Sequence, residues 1–137
     1  MGNLFGVTID PLAFERAPNE QRLSGLSYQD HLLRRFGDAE LLEFETGLEP
    51  NLRLRKAADE VWILFNGSAL LRMRDTRPES PTHGETHELE LAAPTRVLIP
   101  FGVAAGWRPI KAPVQLLRLS THTDSESDAQ TLEWDTA

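Results

Sequence analysis

Between closely spaced prolines and glycines the chain carries short runs in which apolar residues alternate with polar ones or stand in unbroken groups. That is the pattern of β-strands with at least one buried face. Candidate strands cover residues 5–9, 40–46, 52–55, 61–65, 68–74, 87–91, 95–99 and 114–120. One segment has a different period: Ser27-Tyr28-Gln29-Asp30 supplies a start signal, Leu32, Leu33 and Phe36 follow at helical spacing, and Gly37 supplies a stop. It predicts one short N-terminal helix. Asn66-Gly67 separates two strand-like runs, and both residues accept the positive φ of a tight turn, which predicts a hairpin joining 61–65 to 68–74. Eight short strands with regular turns and no internal repeat predict a closed or double-sheet all-β architecture.

A length of 137 residues, with 40 % hydrophobic and 26 % charged residues, fits one globular domain and is too apolar for a disordered chain. The expected organisation is a strand-and-helix region over 1–48, a barrel core over 49–120 and an acidic strap over 121–137 anchored by Trp134. A net charge of −7 argues against a general affinity for nucleic acid or anionic membranes. With no cysteine there is no disulfide, thiolate metal site or cysteine nucleophile. The first residues show no basic region followed by an apolar run, and no apolar stretch is long enough to span a bilayer, so a cytoplasmic protein is expected.

The set Asp75-Thr76-Arg77, Ser80-Pro81-Thr82, Gly84, Leu91, Ile99-Pro100, Gly102, Gly106, Thr121 and Trp134-Asp135 resembles the dTDP-4-dehydrorhamnose 3,5-epimerase family. The likeness covers roughly half of the chain, from Gly67 to Arg77 and again from Ile99 to Trp134. It implies a cupin jelly-roll barrel acting on a deoxythymidine-diphospho-sugar. It also implies a homodimer in which an N-terminal strand of one subunit joins the sheet of the other, with 5–9 and 40–46 as candidate strands. A wider likeness to cupins places Glu60 at the glutamate of the first cupin motif and Pro100-x-Gly102 in the second.

Epimerisation in that family implies a His base, an Asp that orients it and a Tyr that returns the proton, all within hydrogen-bond reach. This sequence departs from the set. Arg53-Leu54-Arg55-Lys56 is the nearest match to the family's Arg-Gly-Leu-His and puts Lys56 at the His position; Arg118 stands at the Tyr position and Ala105 at the His of the second motif. A guanidinium does not donate its proton at neutral pH. A metal-binding cupin would need histidines where Leu54, Lys56 and Ala105 stand, leaving Glu60 alone, so no metal and no cofactor are expected. His83 and His87 lie in a turn entering a strand, where their spacing does not bring the rings onto one face; they, His31 and His122 read as surface residues. A two-carboxylate acid–base site of Glu60 with Glu45 or Glu49 is a further reading, with nothing in the spacing to fix it.

Strand alternation in such a barrel points Glu60, Trp62, Leu71, Met73, Leu116, Arg118 and Ser120 inward, with Lys56, and turns Arg72 and Arg74 outward. Candidate ligand-binding residues are Arg53, Lys56, Glu60, Trp62, Trp107 and Arg118, the cations holding a small anionic ligand and the tryptophans stacking on a base or sugar. Against this stand an internal Arg118–Glu60 ion pair and packing roles for Trp107 and Trp134. Three readings stay open. The leading one is a non-metal cupin that binds an anionic sugar or sugar nucleotide without epimerase activity. The others are an active epimerase or isomerase with Lys56 as base, and a structural or regulatory dimer with a self-filled barrel.

Overall fold

The punctuation resolves into ten strands and a single 3₁₀ turn in a computed structural model that describes residues 3–46, 50–126 and 129–135. The strands are β1 (Thr8–Pro11), β2 (Phe14–Ala17), β3 (Glu20–Leu23), β4 (Asp38–Phe44), β5 (Asn51–Arg55), β6 (Glu60–Asp75), β7 (Thr86–Ala92), β8 (Thr95–Ile99), β9 (Val103–Ser120) and β10 (Ala129–Glu133). The fold is nearly all β, consistent with the cupin barrel that the resemblance implies.

Two long strands organise it. The start of β6 pairs with β8 on one side and with the end of β9 on the other, Trp62 opposite Val97 and Arg118. Its second part pairs with β7 and with the beginning of β9, Leu71 opposite Leu89 and Trp107. The first half-sheet therefore runs β1, β8, β6, β9, β4 and the second β7, β6, β9, β5, β10, every pairing antiparallel. Inner residues of both halves, among them Trp62, Leu64, Leu71, Met73, Val97, Trp107 and Leu116, form one buried core. This is the alternation expected of strands with one face toward a core.

Asn66-Gly67 does not make the expected hairpin. β6 runs on through it with register shifts against β9, and the same antiparallel partner serves both runs. Gly67 has φ +87°, and a Cβ there would lie 2.5 Å from the Pro113 carbonyl oxygen; Asn66 Nδ2 donates to that oxygen at 2.9 Å. The pair is a bulge that bends the strand between the half-sheets, where glycine's freedom at positive φ is required.

The N-terminal helix is also absent. Ser27 does start a turn, its Oγ accepting from Gln29 N and its carbonyl from Asp30 N, but the 3₁₀ turn ends at Asp30. His31 at φ 52° terminates it. Arg96 draws the Asp30 carboxylate to 3.0 Å, and Phe36 is exposed, so the apolar spacing never gains a face to bury. Tertiary pairing overrides a sound local start signal.

The tail pairs in register with β5 as β10, Leu132 opposite Leu52. Trp134 is buried among Leu52, Leu54 and Ala104 on the outer side of the second half-sheet, packed over Gly106. Arg72 and Arg108 lie over its ring at 5.7 and 4.7 Å. β2 and β3 form a separate exposed hairpin that the hydrophobic pattern did not announce. Strands β1 and β4 overlap the expected 5–9 and 40–46 regions in part, and both join the edges of the chain's own sheet.

Candidate functional site

Period-two alternation along β5 turns Leu52 and Leu54 to the outer cluster and Arg53 and Arg55 to the interior, where Arg53 lies opposite Ala105. Glu60 opens β6, and Arg118 and Ser120 close β9, opposite Trp62 and Glu60 respectively. These three strand ends converge at one end of the barrel.

The Glu60 carboxylate, its side chain 5 % exposed, is the hub. It accepts from Arg53 Nε (3.1 Å), Arg55 Nη1 (2.9 Å), Trp62 Nε1 (3.2 Å) and Ser120 Oγ (3.2 Å), and Arg118 Nε lies 4.0 Å away. Arg118 also lies over the Trp62 ring, 5.1 Å from its centre, and the Trp107 ring centre is 5.8 Å from that of Trp62. Arg118 Nε and Trp107 Nε1 are buried without a hydrogen-bond partner among the described residues. Unsatisfied buried donors are costly and call for an acceptor.

Two further carboxylates reach the cluster from the rim. Glu40, on the edge strand β4, meets Arg118 Nη2. Asp124, in the turn after β9, lies 2.9 Å from Arg53 Nη2 and 3.4 Å from Arg55 Nη1. The bond from Arg53 is the largest influence holding the Asp124 carboxyl below the usual range, ahead of the opposing effect of partial burial. Burial pushes the Arg53 guanidinium down, and the charges of Glu60 and Asp124 outweigh it and raise it. The same turn is bound by Arg55 Nη2, which donates to the carbonyls of His122 and Thr123, both at 3.1 Å.

The interior residues expected from alternation, Glu60, Trp62, Leu71, Met73, Leu116, Arg118 and Ser120, are all buried. Lys56 is not among them. It lies exposed in the bend after β5, because a residue three positions beyond Arg53 on a strand points to the opposite face. Arg55 takes the interior place; the sequence reading missed it, and strict alternation from Arg53 is the signal that could have found it. Trp107 packs in the core beside Trp62. Glu45 is exposed beyond the end of β4 that lies far from Glu60, since Asp38, at the other end, pairs with Ser120. Glu49 lies outside the described residues.

Arg72 and Arg74 are half-buried on the outer side, Arg72 paired with Glu88 at 2.8 Å. His87 contacts Glu85 at 3.0 Å, while His83 lies exposed in the preceding turn. Among the described residues no three His, Asp or Glu side chains are grouped to hold a metal ion.

A second polar centre explains part of the motif. Asp75, fully buried at the end of β6, accepts from Arg77 Nε (2.9 Å), Ser80 Oγ (2.6 Å) and Thr82 Oγ1. Burial pushes its carboxyl up, and these hydrogen bonds overcome that effect and hold it far below the carboxylate range. Thr82 Oγ1 also receives Phe5 N at 3.0 Å, tying the N-terminal segment to the turn. The Asp-x-Arg and Ser-Pro-Thr residues thus form a structural clasp, linked to the backbone of Arg55 through Gly102.

No protein-family model matches the chain. Among curated proteins it is 28 % identical over 111 residues to the spore coat polysaccharide biosynthesis protein SpsL of Bacillus subtilis (strain 168), covering 77 % of this chain and 74 % of that protein. Among solved structures it superposes on a dTDP sugar isomerase from Desulfovibrio desulfuricans G20 with TM-score 0.86 at 17 % identity, over 97 % of this chain and 87 % of that one. It superposes on the dTDP-6-deoxy-D-glucose-3,5-epimerase of Legionella pneumophila Philadelphia 1, in complex with dTDP-4-keto-L-rhamnose, with TM-score 0.80 at 16 % identity, over 94 % and 73 %. The 4-keto-6-deoxy sugar epimerase NovW of Streptomyces spheroides gives TM-score 0.80 at 18 % identity, over 95 % and 70 %. The chain has the fold of the dTDP-sugar epimerases and isomerases.

Proposed function

We propose that this barrel binds an anionic sugar or sugar nucleotide at the arginine cluster and does not carry out the epimerisation performed on the same fold. The observation that carries the reading is the convergence of Arg53, Arg55 and Arg118 on one buried carboxylate, with Trp62 against Arg118. Arginine forks suit phosphate and carboxylate groups, and an adjacent indole suits a base or sugar ring. The relative involved in polysaccharide biosynthesis and the fold neighbour holding a dTDP-sugar support a carbohydrate ligand. Guanidiniums that stay protonated at neutral pH supply no acid–base pair. Lys56, the residue that a rebuilt isomerase site would use as base, is exposed, which weighs against that reading.

A self-filled barrel is the second reading, favoured by the near-complete burial of Trp62, Met73, Trp107 and Leu116. Two clefts, of about 680 and 550 Å³, lie under the β2–β3 hairpin on the outside of the barrel. A thermal-shift titration separates the two. Thymidine diphosphate, nucleotide sugars, free sugars and small carboxylates are compared on the wild type and on Arg118→Ala. Binding restricted to the native state adds about 2.7 kcal/mol at a hundredfold excess over Kd. A shift lost in Arg118→Ala supports ligand binding; no shift with any compound favours the self-filled barrel.

A further inference from the structure

The arginine cluster is neutralised from two sides. Inside, Glu60 serves three guanidiniums and is fixed by four hydrogen bonds. From the rim come Asp124 and Glu40, whose side chains are 57 % and 45 % exposed. Each rim carboxylate has open access to water and can be rehydrated there when it leaves its guanidinium, which then needs another anion. The inner one cannot, being buried on the central strand.

We propose that Asp124 and Glu40 are resident counter-anions which an incoming anionic ligand displaces, so that the 121–126 segment is an autoinhibitory strap over the site. The inference rests on the binding reading above and adds its regulation. With both rim carboxylates in place, three cations face three anions. With both turned away, three cations face Glu60 alone, an excess of two positive charges, and a ligand bringing two negative charges restores the balance. The bridging diphosphate of a nucleotide sugar does this, and a terminal diphosphate more than does it; a monocarboxylate does not. The unpartnered donors on Arg118 Nε and Trp107 Nε1 remain for uncharged oxygens of the same ligand.

The strap has attachments that do not depend on the Asp124 charge. Arg55 Nη2 holds its backbone at His122 and Thr123. Arg35 contacts Glu126 at 3.2 Å, and Glu126 accepts from Thr123 N at 3.0 Å. Asp124→Asn therefore removes the competing charge and leaves the strap attached.

The test is calorimetric titration of inorganic pyrophosphate and of thymidine diphosphate into the full chain at one fixed, low ionic strength. Wild type, Asp124→Asn, Glu40→Gln and Glu88→Gln are compared, the last removing a carboxylate that pairs with Arg72 on the outer face. The expected result is binding about two- to fivefold tighter for each rim variant, the range that part-exposed ion pairs support. Glu88→Gln should match the wild type. In the wild type, pyrophosphate should also accelerate amide hydrogen exchange across 121–126. If wild type and rim variants bind alike, or Glu88→Gln gains as much as they do, displacement is overturned while the binding reading stands. If none of the four proteins binds either probe, the binding reading fails and the strap with it.

Discussion

Replacing Glu60 by glutamine keeps the shape of the hub and removes its charge. Arg55 and Arg118, 3 % and 9 % exposed as side chains, then lose the carboxylate they face inside the barrel, while Trp62 and Ser120 keep a polar partner. Breaking a buried ion pair by removing one member costs about 3–5 kcal/mol, because the remaining charge is left without compensation. For a chain of 137 residues a kcal/mol moves the melting temperature by roughly 3 °C, so Glu60→Gln should melt about 10 °C below the wild type.

Arg118→Met should cost less, about 1–2 kcal/mol, because Glu60 would keep its shorter contacts to Arg53 and Arg55 and the partly exposed Glu40 can hydrate. The assay is urea denaturation of the three proteins followed by tryptophan fluorescence, with and without pyrophosphate. The anion should recover stability in Glu60→Gln more than in the wild type, since it fills a charge vacancy. A Glu60→Gln loss below about 1 kcal/mol, or one smaller than that of Arg118→Met, would refute the account of Glu60 as the shared internal counter-charge.

Asp75→Asn tests the clasp by its pH dependence. The folded carboxyl is held below its unfolded value of 3.8, so the stabilisation is fully present above that value and fades as pH falls through it toward the folded value. The stability gap between wild type and variant, measured by urea titration, should hold steady from pH 7 to about 4.5 and shrink below pH 3.8. Gly67→Ala forces a Cβ against the Pro113 and Lys111 carbonyl oxygens at positive φ, and should lower stability by roughly 2 kcal/mol or more in a thermal melt. Leu41, 73 % exposed on the outer side of β4, should hold two copies together if the expected homodimer uses this face. Leu41→Lys should then halve the mass measured by sedimentation equilibrium without lowering helix-free β content by circular dichroism.

Where hydrophobic alternation was strong, the strands were legible: 52–55, 61–65, 68–74, 87–91, 95–99 and 114–120 all lie within strands. Their continuity was not, because Asn66-Gly67 is a local hairpin signal and only pairing with β9 decides that the strand bends instead of turning back. The Phe14–Leu23 hairpin escaped because its charged, exposed residues carry no apolar period. Val103–Pro113 escaped because its alanines, glycine and prolines lower any strand signal, although they let Trp134 and β5 approach closely. At the site, Glu60, Trp62 and Arg118 could be named from face alternation and Arg53 from the family likeness, and alternation from Arg53 could have named Arg55. Glu40 comes from the neighbouring edge strand, opposite Arg118, and Asp124 from the turn after β9, and no hydrophobic pattern marks either.

Because β6 and β9 each run unbroken through both half-sheets, the two walls of the barrel share their beams. A hinge between them would have to shear hydrogen bonds along both strands at once. Motion linked to function is thereby confined to what hangs on the frame: the turn after β9, the edge strand β4 and the detached hairpin. In hydrogen exchange the frame should open as one unit, and these attachments should exchange far earlier.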